Sequence, residues 1–306
     1  MPNLMCENCR TDHDTITLGI IGLLMDHKLK PAPSRCRLEP QSSAPRPNFT
    51  AQLFACEEIG ILFLPVLMVL SRRRRHGDIS HLPRSLVGGL GLEEGARPLL
   101  RAAGHEVFTP TYTGLGERAH HASPVVDLEM HIKDVLAVIE FEGLRDCILV
   151  GHSYGGMVAT GVADRVPERV RHLIYLDAFV PENGQSLLDL RGPAPRPAAP
   201  PDEDWLVSPN PPPPDTSQSD LDWLAPRRRP QPFKTFSQSL QLRNPTPAFP
   251  RSYIYCTRKE SDDVFLQFSR RFKSDPAWRY FEIAASHSPN VTAPEALVRL
   301  FCEIVR

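Results

Sequence analysis

The sequence of 306 residues has almost no net charge, no obvious disulfide framework and no hydrophobic run long enough to cross a bilayer. A formal charge of -1 gives no general reason to expect nucleic acid or an anionic membrane surface as a partner. The seven cysteines are an odd number spread over a long chain, which favours a reducing, cytoplasmic location. The densest apolar run, residues 59–70, is too short to span a membrane and predicts a buried strand.

The sequence also has little that predicts a metal site. Cys6 and Cys9 form a single C-x-x-C pair, and His13 and Cys36 follow as conceivable zinc ligands. A zinc site built from such pairs normally has a second closely spaced pair. We therefore predict no bound metal.

Proline is the residue in excess, and it marks the irregular segments of the chain. The 32 prolines are about twice the usual number for this length. Residues 1–58 show little organisation and are rich in Pro, Ser and Arg toward their end, so we predict a disordered N-terminal extension. Residues 59–306 are predicted to form one α/β domain, interrupted at about 181–248 by a proline-rich insert.

Strands and helices alternate from residue 92 onward. The patterns predict helices over 92–103, 126–141, 264–272 and 293–305, and strands over 106–110, 172–179, 252–256 and 278–283, with a further strand beginning at Cys147. Such alternation predicts a mostly parallel, doubly wound sheet covered by helices on both faces.

One strand-to-helix turn carries a nucleophile motif. The apolar run 147–150 ends in Gly151-His152-Ser153-Tyr154-Gly155, a G-x-S-x-G pattern, and a helix is predicted directly after it. Glycines in such a turn let the two elements pass closely, so that the Ser153 hydroxyl stands clear of the sheet. The backbone N–H of Tyr154 is then expected to face a developing oxyanion, whereas His152 is expected to face the opposite way.

A nucleophilic serine needs a histidine base, and the histidine needs a carboxylate that fixes its tautomer. In doubly wound hydrolases the order along the chain is serine, acid, histidine. His287, in the loop before the last predicted helix, is therefore the candidate base. Asp262 is the preferred acid because it follows the strand at 252–256, and Asp263 and Asp177 remain alternatives.

The insert is predicted to cover the upper edge of the sheet as a cap. Its apolar side chains Trp205, Trp223, Leu224 and Phe236 would then wall a substrate pocket. The alternative is that the proline runs form an extended polyproline linker with no contact to substrate.

From about residue 92 to its end, the chain resembles the α/β-hydrolase superfamily, in particular the bacterial esterase-like members related to plant methyl esterases and hydroxynitrile lyases. The matching segments are PLLRAAGH at 98–105, TGLGER at 113–118, GHSYGG at 151–156, YLDAFVP at 175–181 and VTAPE at 291–295. The resemblance implies an α/β-hydrolase fold that needs no cofactor, with Ser153 as nucleophile, His287 as base and Asp262 as acid.

One feature of this group is missing from its expected place. Members carry a His-Gly pair after the first core strand, and the loop that follows supplies a second oxyanion donor. The pair is expected near Arg84 and Ser85, whereas the nearest pair, His76-Gly77, lies about eight residues earlier. The second donor is therefore unidentified, and loss of one such donor costs about 2.7–4 kcal/mol of transition-state stabilisation.

Together these features predict a carboxylesterase that cleaves small to medium apolar esters, its small-molecule partners, through an acyl-enzyme. The alternative is a ligand-binding protein with a hydrolase fold and impaired catalysis, because of the missing His-Gly pair. A hydroxynitrile lyase is disfavoured, since such enzymes typically have a lysine near the catalytic histidine and here Ser288 follows His287. The sequence does not determine the oligomeric state.

Overall fold

A computed structural model describes residues 66–71, 85–87, 95–192, 204–244, 247–259 and 263–306. Several sequence predictions fall outside these described residues. They are the N-terminal extension 1–58 with Cys6, Cys9, His13 and Cys36, the pair His76-Gly77, the prolines between 193 and 201, and Asp262.

A mixed sheet forms the centre of the described fold. The strands are β1 (Val66–Ser71), β2 (Ser85–Val87), β3 (Glu106–Phe108), β4 (Cys147–Ser153), β5 (Val170–Ala178), β6 (Leu206–Val207), β7 (Gln231–Pro232), β8 (Arg251–Cys256) and β9 (Arg279–Ile283). The large sheet has the order β3-β1-β4-β5-β8-β9, and β2 also pairs with β4. Strands β4, β5, β8 and β9 run parallel to one another. The predicted mostly parallel sheet is thus confirmed, although β1 is antiparallel to both of its neighbours.

The helices cover both faces of this sheet. They are α1 (Ala96–Ala102), α2 (Leu128–Phe141), α3 (Gly155–Arg165), α4 (Leu187–Arg191), α5 (Gln218–Leu224), α6 (Lys234–Ser237), α7 (Leu266–Lys273), α8 (Pro289–Thr292) and α9 (Pro294–Ile304). Residues of α2, α3 and α7 share one apolar core, and residues of α1 and α9 share the other. In the part of the chain that the structure describes, no helix is long and apolar enough to cross a membrane.

Helix α2 shows how the sequence pattern produces this packing. The Asp127 side chain caps the helix by accepting a hydrogen bond from the backbone N–H of Met130. The residues Leu128, Ile132, Val135 and Ile139 recur at helical spacing, and all are buried in the core beside α3. The helix expected over 126–141 therefore forms nearly over its whole predicted length.

The insert between β5 and β8 is folded in its described part. Strands β6 and β7 form a small antiparallel sheet. Along the chain, α4 precedes β6, α5 lies between the two strands, and α6 follows β7. Gln238 accepts a hydrogen bond from the N–H of Glu129 on α2 at 2.9 Å. The Asp164 carboxylate of α3 accepts from the N–H groups of Arg243 and Asn244. The insert is therefore anchored to α2 and α3 by hydrogen bonds.

Candidate active site

Ser153 lies at the apex of a sharp turn between β4 and α3. Its φ of 55° is in the left-handed region, which a serine rarely adopts. A Cβ on Gly151 would lie 2.7 Å from the carbonyl oxygen of Gly155, and one on Gly156 would lie 2.0 Å from that of Phe179. Since neither contact is sterically possible, the turn requires glycine at both positions. Gly151 is the first glycine of the G-x-S-x-G pattern, whereas Gly156 directly follows the second one, Gly155.

His287 links this serine to a carboxylate. Its Nε2 lies 3.1 Å from Ser153 Oγ, and its Nδ1 lies 2.6 Å from Asp177 Oδ2. The carboxylate requires Nδ1 to carry a proton and to donate it, which leaves Nε2 free to accept from the serine hydroxyl. The loop between β9 and α8 supplies this histidine, whose side chain is one-third exposed.

Asp177 reaches His287 because of an irregularity in β5. His152 pairs with Leu176 and Ser153 pairs with Ala178, so Asp177 is an extra residue without a partner in this ladder. Its φ of 44° accompanies this bulge. A bulge turns a side chain away from its regular direction, and here it brings the fully buried Asp177 carboxylate to the carboxyl edge beside Ser153.

The structure brings one of the two alternative acids to His287 and does not describe the preferred one. Asp262 lies outside the described residues, and the carboxylate bonded to His287 is that of Asp177. Asp263 has different partners: it accepts hydrogen bonds from Lys259 Nζ at 2.9 Å and from the Tyr255 hydroxyl at 2.7 Å. The sequence favoured the loop after β8 because the bulge in β5 has no composition signal.

Lys259 follows β8 and lies between two of the candidate acids, Asp177 and Asp263. Its Nζ donates to Asp177 Oδ1 at 2.5 Å and to Asp263 Oδ1 at 2.9 Å. The N–H of Cys256 also donates to Asp177 Oδ1, at 3.3 Å. Both oxygens of Asp177 thus accept hydrogen bonds: Oδ1 accepts from Lys259 and Cys256, and Oδ2 accepts from His287.

His152 supports the backbone of the histidine loop, contrary to the expectation that it faces away. Its Nε2 lies 2.6 Å from the carbonyl oxygen of His287, so Nε2 is the donor, and the two rings lie 4.7 Å apart. Burial and the neighbouring His287 lower the pKa of His152 to about 3. A neutral His152 therefore stabilises the loop without adding a charge.

The side chain of Tyr154 is anchored beneath the turn. Its hydroxyl donates to Nδ1 of His131 at 2.9 Å, and Nε2 of His131 donates to the Thr113 carbonyl oxygen at 3.0 Å. Burial lowers the pKa of His131 to about 4, which keeps the ring neutral for this pair of contacts. Thr113 is held by Asp134, which also bonds Arg118 at 2.8 Å. The TGLGER segment is therefore linked to the turn at Ser153 by hydrogen bonds through His131 and Tyr154.

One aromatic ring stacks on the candidate base, and another contacts the side chain of the residue after Ser153. Phe265 stacks on the His287 ring at 4.8 Å with an interplanar angle of 16°. Phe236 of the insert lies 5.6 Å from the ring of Tyr154. The expected place of Phe236 in a substrate pocket stays a prediction. The sequence did not single out Phe265, since nothing in its local pattern distinguishes it from a core residue of the predicted helix 264–272.

The other three expected pocket residues have different surroundings. Trp223 stacks against the Arg227 guanidinium at 4.8 Å, and Leu224 is buried. Trp205 is half-buried in the turn before β6, and its carbonyl oxygen accepts from the N–H of Phe233. Their expected place in a substrate pocket therefore stays a prediction.

The expected place of the second oxyanion donor stays a prediction. Ser85 is the first residue of β2, which runs parallel to β4. Residues 88–94 lie outside the described residues. For the described part of the chain, no group of three or more His, Cys, Asp or Glu side chains could hold a metal ion.

A nucleophile turn on a mostly parallel sheet, with a histidine and a buried acid at the same edge, defines the class of this protein. The model of the alpha/beta hydrolase family matches residues 82–300, and the chain belongs to this family.

Known relatives within the family include several esterases. The chain is 40% identical over 211 residues to the carbendazim hydrolyzing esterase of Nocardioides sp. (strain SG-4G), an alignment that covers 65% of this chain and 87% of that protein. It is 31% identical over 87 residues to methylesterase 9 of Arabidopsis thaliana, over 28% of this chain and 34% of the relative. These similarities support a hydrolase of the esterase type.

A solved structure agrees with the fold. The crystal structure of a methylesterase from Arabidopsis superposes with a TM-score of 0.55 at 21% identity, over 71% of this chain and 94% of that chain. At this identity the similarity shows the fold alone.

Proposed function

We propose that the protein is a serine carboxylesterase in which Ser153 is the nucleophile, His287 the general base and Asp177 the acid. The observation that carries the proposal is His287 itself, with Nε2 at 3.1 Å from Ser153 Oγ and Nδ1 at 2.6 Å from Asp177 Oδ2. Both distances are those that a nucleophile, its base and the orienting acid require. Asp177 takes the role that the sequence first gave to Asp262.

The reaction follows from these contacts in two halves. Ser153 Oγ forms a bond to the ester carbonyl carbon while its proton moves to Nε2 of His287, and Asp177 stabilises the resulting imidazolium. The tetrahedral intermediate collapses as the imidazolium gives its proton to the leaving alcohol, which leaves an acyl group on Ser153. A water molecule then gives a proton to His287 and attacks the acyl carbon, and the acid product leaves as Ser153 regains its proton.

The negative charge that develops on the carbonyl oxygen needs donors at the turn. Tyr154 is the residue between the nucleophile and α3, and the first N–H groups of a helix have no intrahelical partner. We assign the first oxyanion donor to this N–H. Hydrogen bonds from Tyr154 through His131 to Thr113 fix the residue that carries it. We assign no residue to the second donor.

The proposed substrates are small to medium apolar esters. Phe265 stacks on His287 and presents an apolar surface next to the base. We further propose that the insert, whose Phe236 contacts the side chain of Tyr154, caps the site. Each methylene buried against such surfaces stabilises binding by about 0.8 kcal/mol, so selectivity should rise with acyl length until the pocket is filled.

The relative with 40% identity is a carbendazim hydrolyzing esterase, which adds carbendazim to the compounds to be tested. We propose that this chain acts on the same compound, because the alignment covers 87% of that esterase. We also propose a reducing, cytoplasmic location, because seven cysteines are an odd number spread over a long chain.

The test is a kinetic panel on the full chain. We expect kcat/KM for p-nitrophenyl acetate, butyrate, octanoate and palmitate to have a short-to-medium optimum, and we expect hydrolysis of carbendazim above the uncatalysed rate. A fluorophosphonate probe should label wild-type protein and leave Ser153→Ala unlabelled. Turnover of none of these compounds, with no labelling of Ser153, would contradict the proposal and favour a hydrolase-fold ligand-binding protein.

A further inference from the structure

Lys259 is a nearly buried cation that lies between two carboxylates next to the candidate base. Its side chain is 11% exposed, and the side chains of Asp177 and Asp263 are 0% and 5% exposed. The Nζ atom lies 2.5 Å from Asp177 Oδ1 and 2.9 Å from Asp263 Oδ1. The described contacts therefore form a network of alternating acidic and basic side chains, Asp263–Lys259–Asp177–His287.

Two aromatic rings also lie close to the ammonium group of Lys259. Nζ lies 4.5 Å from the centre of the Tyr255 ring and 4.8 Å from that of Phe265, which itself stacks on His287. Rings at these distances attract a cation and exclude water from it. In such surroundings charges are weakly screened, so a change at Lys259 has a large effect on neighbouring charges.

The position of these charges gives Lys259 a role beyond packing. A bare carboxylate on Nδ1 strongly stabilises the imidazolium form of a histidine. Here one oxygen of that carboxylate is shared with an ammonium group, which withdraws part of its charge from His287 and repels an imidazolium. Asp263 has the opposite effect, because it neutralises part of the lysine charge.

We propose that Lys259 is a positioning residue that fixes the Asp177 carboxylate toward His287 and, with Asp263, sets the pH at which the Ser153–His287 pair becomes active. The inference rests on the proposed function, because it assigns Asp177 and His287 the roles of acid and base. It adds a cation and a second carboxylate to the groups that determine the activity of the serine.

Besides the carboxylates of Asp215, which acts on Cys256, and Glu282, which accepts from Tyr280, the titratable groups next to this network are neutral over the working pH range. Burial, together with His287, lowers the pKa of His152 on β4 to about 3. Burial raises the pKa of Tyr253, Tyr255 and Cys256, which face the network from β8. Burial likewise raises the pKa of Tyr280 on β9 to about 12. Among the described residues that face the site, these groups do not supply a competing charge.

The test compares the pH profile of kcat/KM for p-nitrophenyl acetate in wild type, Lys259→Met and Asp263→Asn, from pH 5 to pH 9. Removal of the cation stabilises the imidazolium, so Lys259→Met should move the half-maximal pH up by on the order of one unit. On the acid limb this shift lowers kcat/KM about tenfold. Removal of the outer negative charge in Asp263→Asn should move the half-maximal pH down.

Two further variants separate charge from packing. The double variant Lys259→Met/Asp263→Asn removes one charge of each sign, and its half-maximal pH should return to within a few tenths of wild type. Lys259→Arg keeps the charge and should keep the wild-type profile. Lys273→Met is the matched control, since Lys273 is an exposed lysine that pairs with Glu282 at 2.8 Å. It should leave the profile unchanged.

The outcomes distinguish the inference from the proposed function. An inactive, unlabelled wild-type chain would overturn both. An active wild type with an unshifted profile in Lys259→Met, whatever its loss of rate, would show that Lys259 only supports the structure. If Lys259→Met does not fold, Asp263→Asn decides the matter, and a half-maximal pH that stays constant or rises overturns the inference.

Discussion

A Cβ on Gly156 would lie 2.0 Å from the carbonyl oxygen of Phe179, the second residue after the Asp177 bulge. Helix α3 and the end of β5 thus approach more closely than any side chain at position 156 allows. This approach places the turn that carries Ser153 directly beside the segment that carries the acid. The geometry of the site therefore depends on the absence of one methyl group.

Gly156→Ala is expected to damage stability and activity together. The added methyl group must push α3 away from Phe179, and such overpacking should lower the free energy of unfolding by about 3 kcal/mol. Urea denaturation and esterase assays at matched folded fractions measure the two effects. Gly143→Ala is the control, because its φ of 63° makes the substitution strained but a Cβ there meets nothing within 4 Å. A variant at 156 as stable and active as wild type would contradict the proposed close approach.

Ser153→Ala and His287→Ala should each lower kcat by about four to six orders of magnitude, and the double variant should be little worse than either one. The reason is that the residues act as a unit, so that removal of a second member costs little. Rates of p-nitrophenyl butyrate hydrolysis measure these effects. Additive losses in the double variant would show that His287 does not act through Ser153.

Asp177→Asn should lower kcat by about four orders of magnitude, because an amide at Nδ1 favours the wrong tautomer of His287. Asp262→Asn is the comparison, since Asp262 is the carboxylate that the sequence favoured, and it should keep activity within tenfold of wild type. Both variants are assayed with the same ester at the same pH. The reverse result would return the role of the acid to Asp262.

The stability of the protein should fall as the pH decreases from about 6.5 toward 4. Burial lowers the pKa of His131 to about 4, whereas in the unfolded chain it is near 6.5. Below 6.5 the unfolded chain therefore binds a proton that the folded chain does not, which removes up to about 3 kcal/mol of stability. His152 and His172, with pKa values lowered by burial to about 3 and about 4, add to the same trend.

Urea unfolding at pH 7, 6, 5 and 4.5 measures this dependence. His131→Gln cannot titrate in this range, so its curve should be flatter than that of wild type, although its stability at pH 7 should be lower. The exposed His121→Gln is the matched control and should keep the wild-type slope. An equal slope in His131→Gln and wild type would show that the buried ring does not contribute in this way.

Phe236→Ala should change substrate choice more than it changes the chemistry. Its ring lies 5.6 Å from that of Tyr154, and its removal should broaden the acyl-length optimum toward longer esters. The measurement is the ratio of kcat/KM for p-nitrophenyl octanoate to that for the acetate. Phe141→Ala, which removes a ring that is 86% exposed, should leave the ratio unchanged. An unchanged ratio in Phe236→Ala would place the substrate away from the insert.

The sequence by itself determined the alternation of elements, the sharp turn at Ser153 and the loop that carries His287. These features are local: helix α2 follows from apolar residues at helical spacing, and the turn at Ser153 follows from glycines that leave no room for a side chain. The position of His287 followed from chain order, since the loop before the last helix opens at the carboxyl edge of the sheet.

Only the tertiary structure decided which carboxylate meets His287. Asp177 reaches it through a bulge in β5, and Asp263, a candidate in the loop after β8, bonds Lys259 and Tyr255 instead. A bulge arises from the register between two strands, and the buried ion pair of Asp177 with Lys259 arises between residues 82 positions apart. Neither is encoded in a local pattern, because both depend on how β4, β5 and β8 lie side by side.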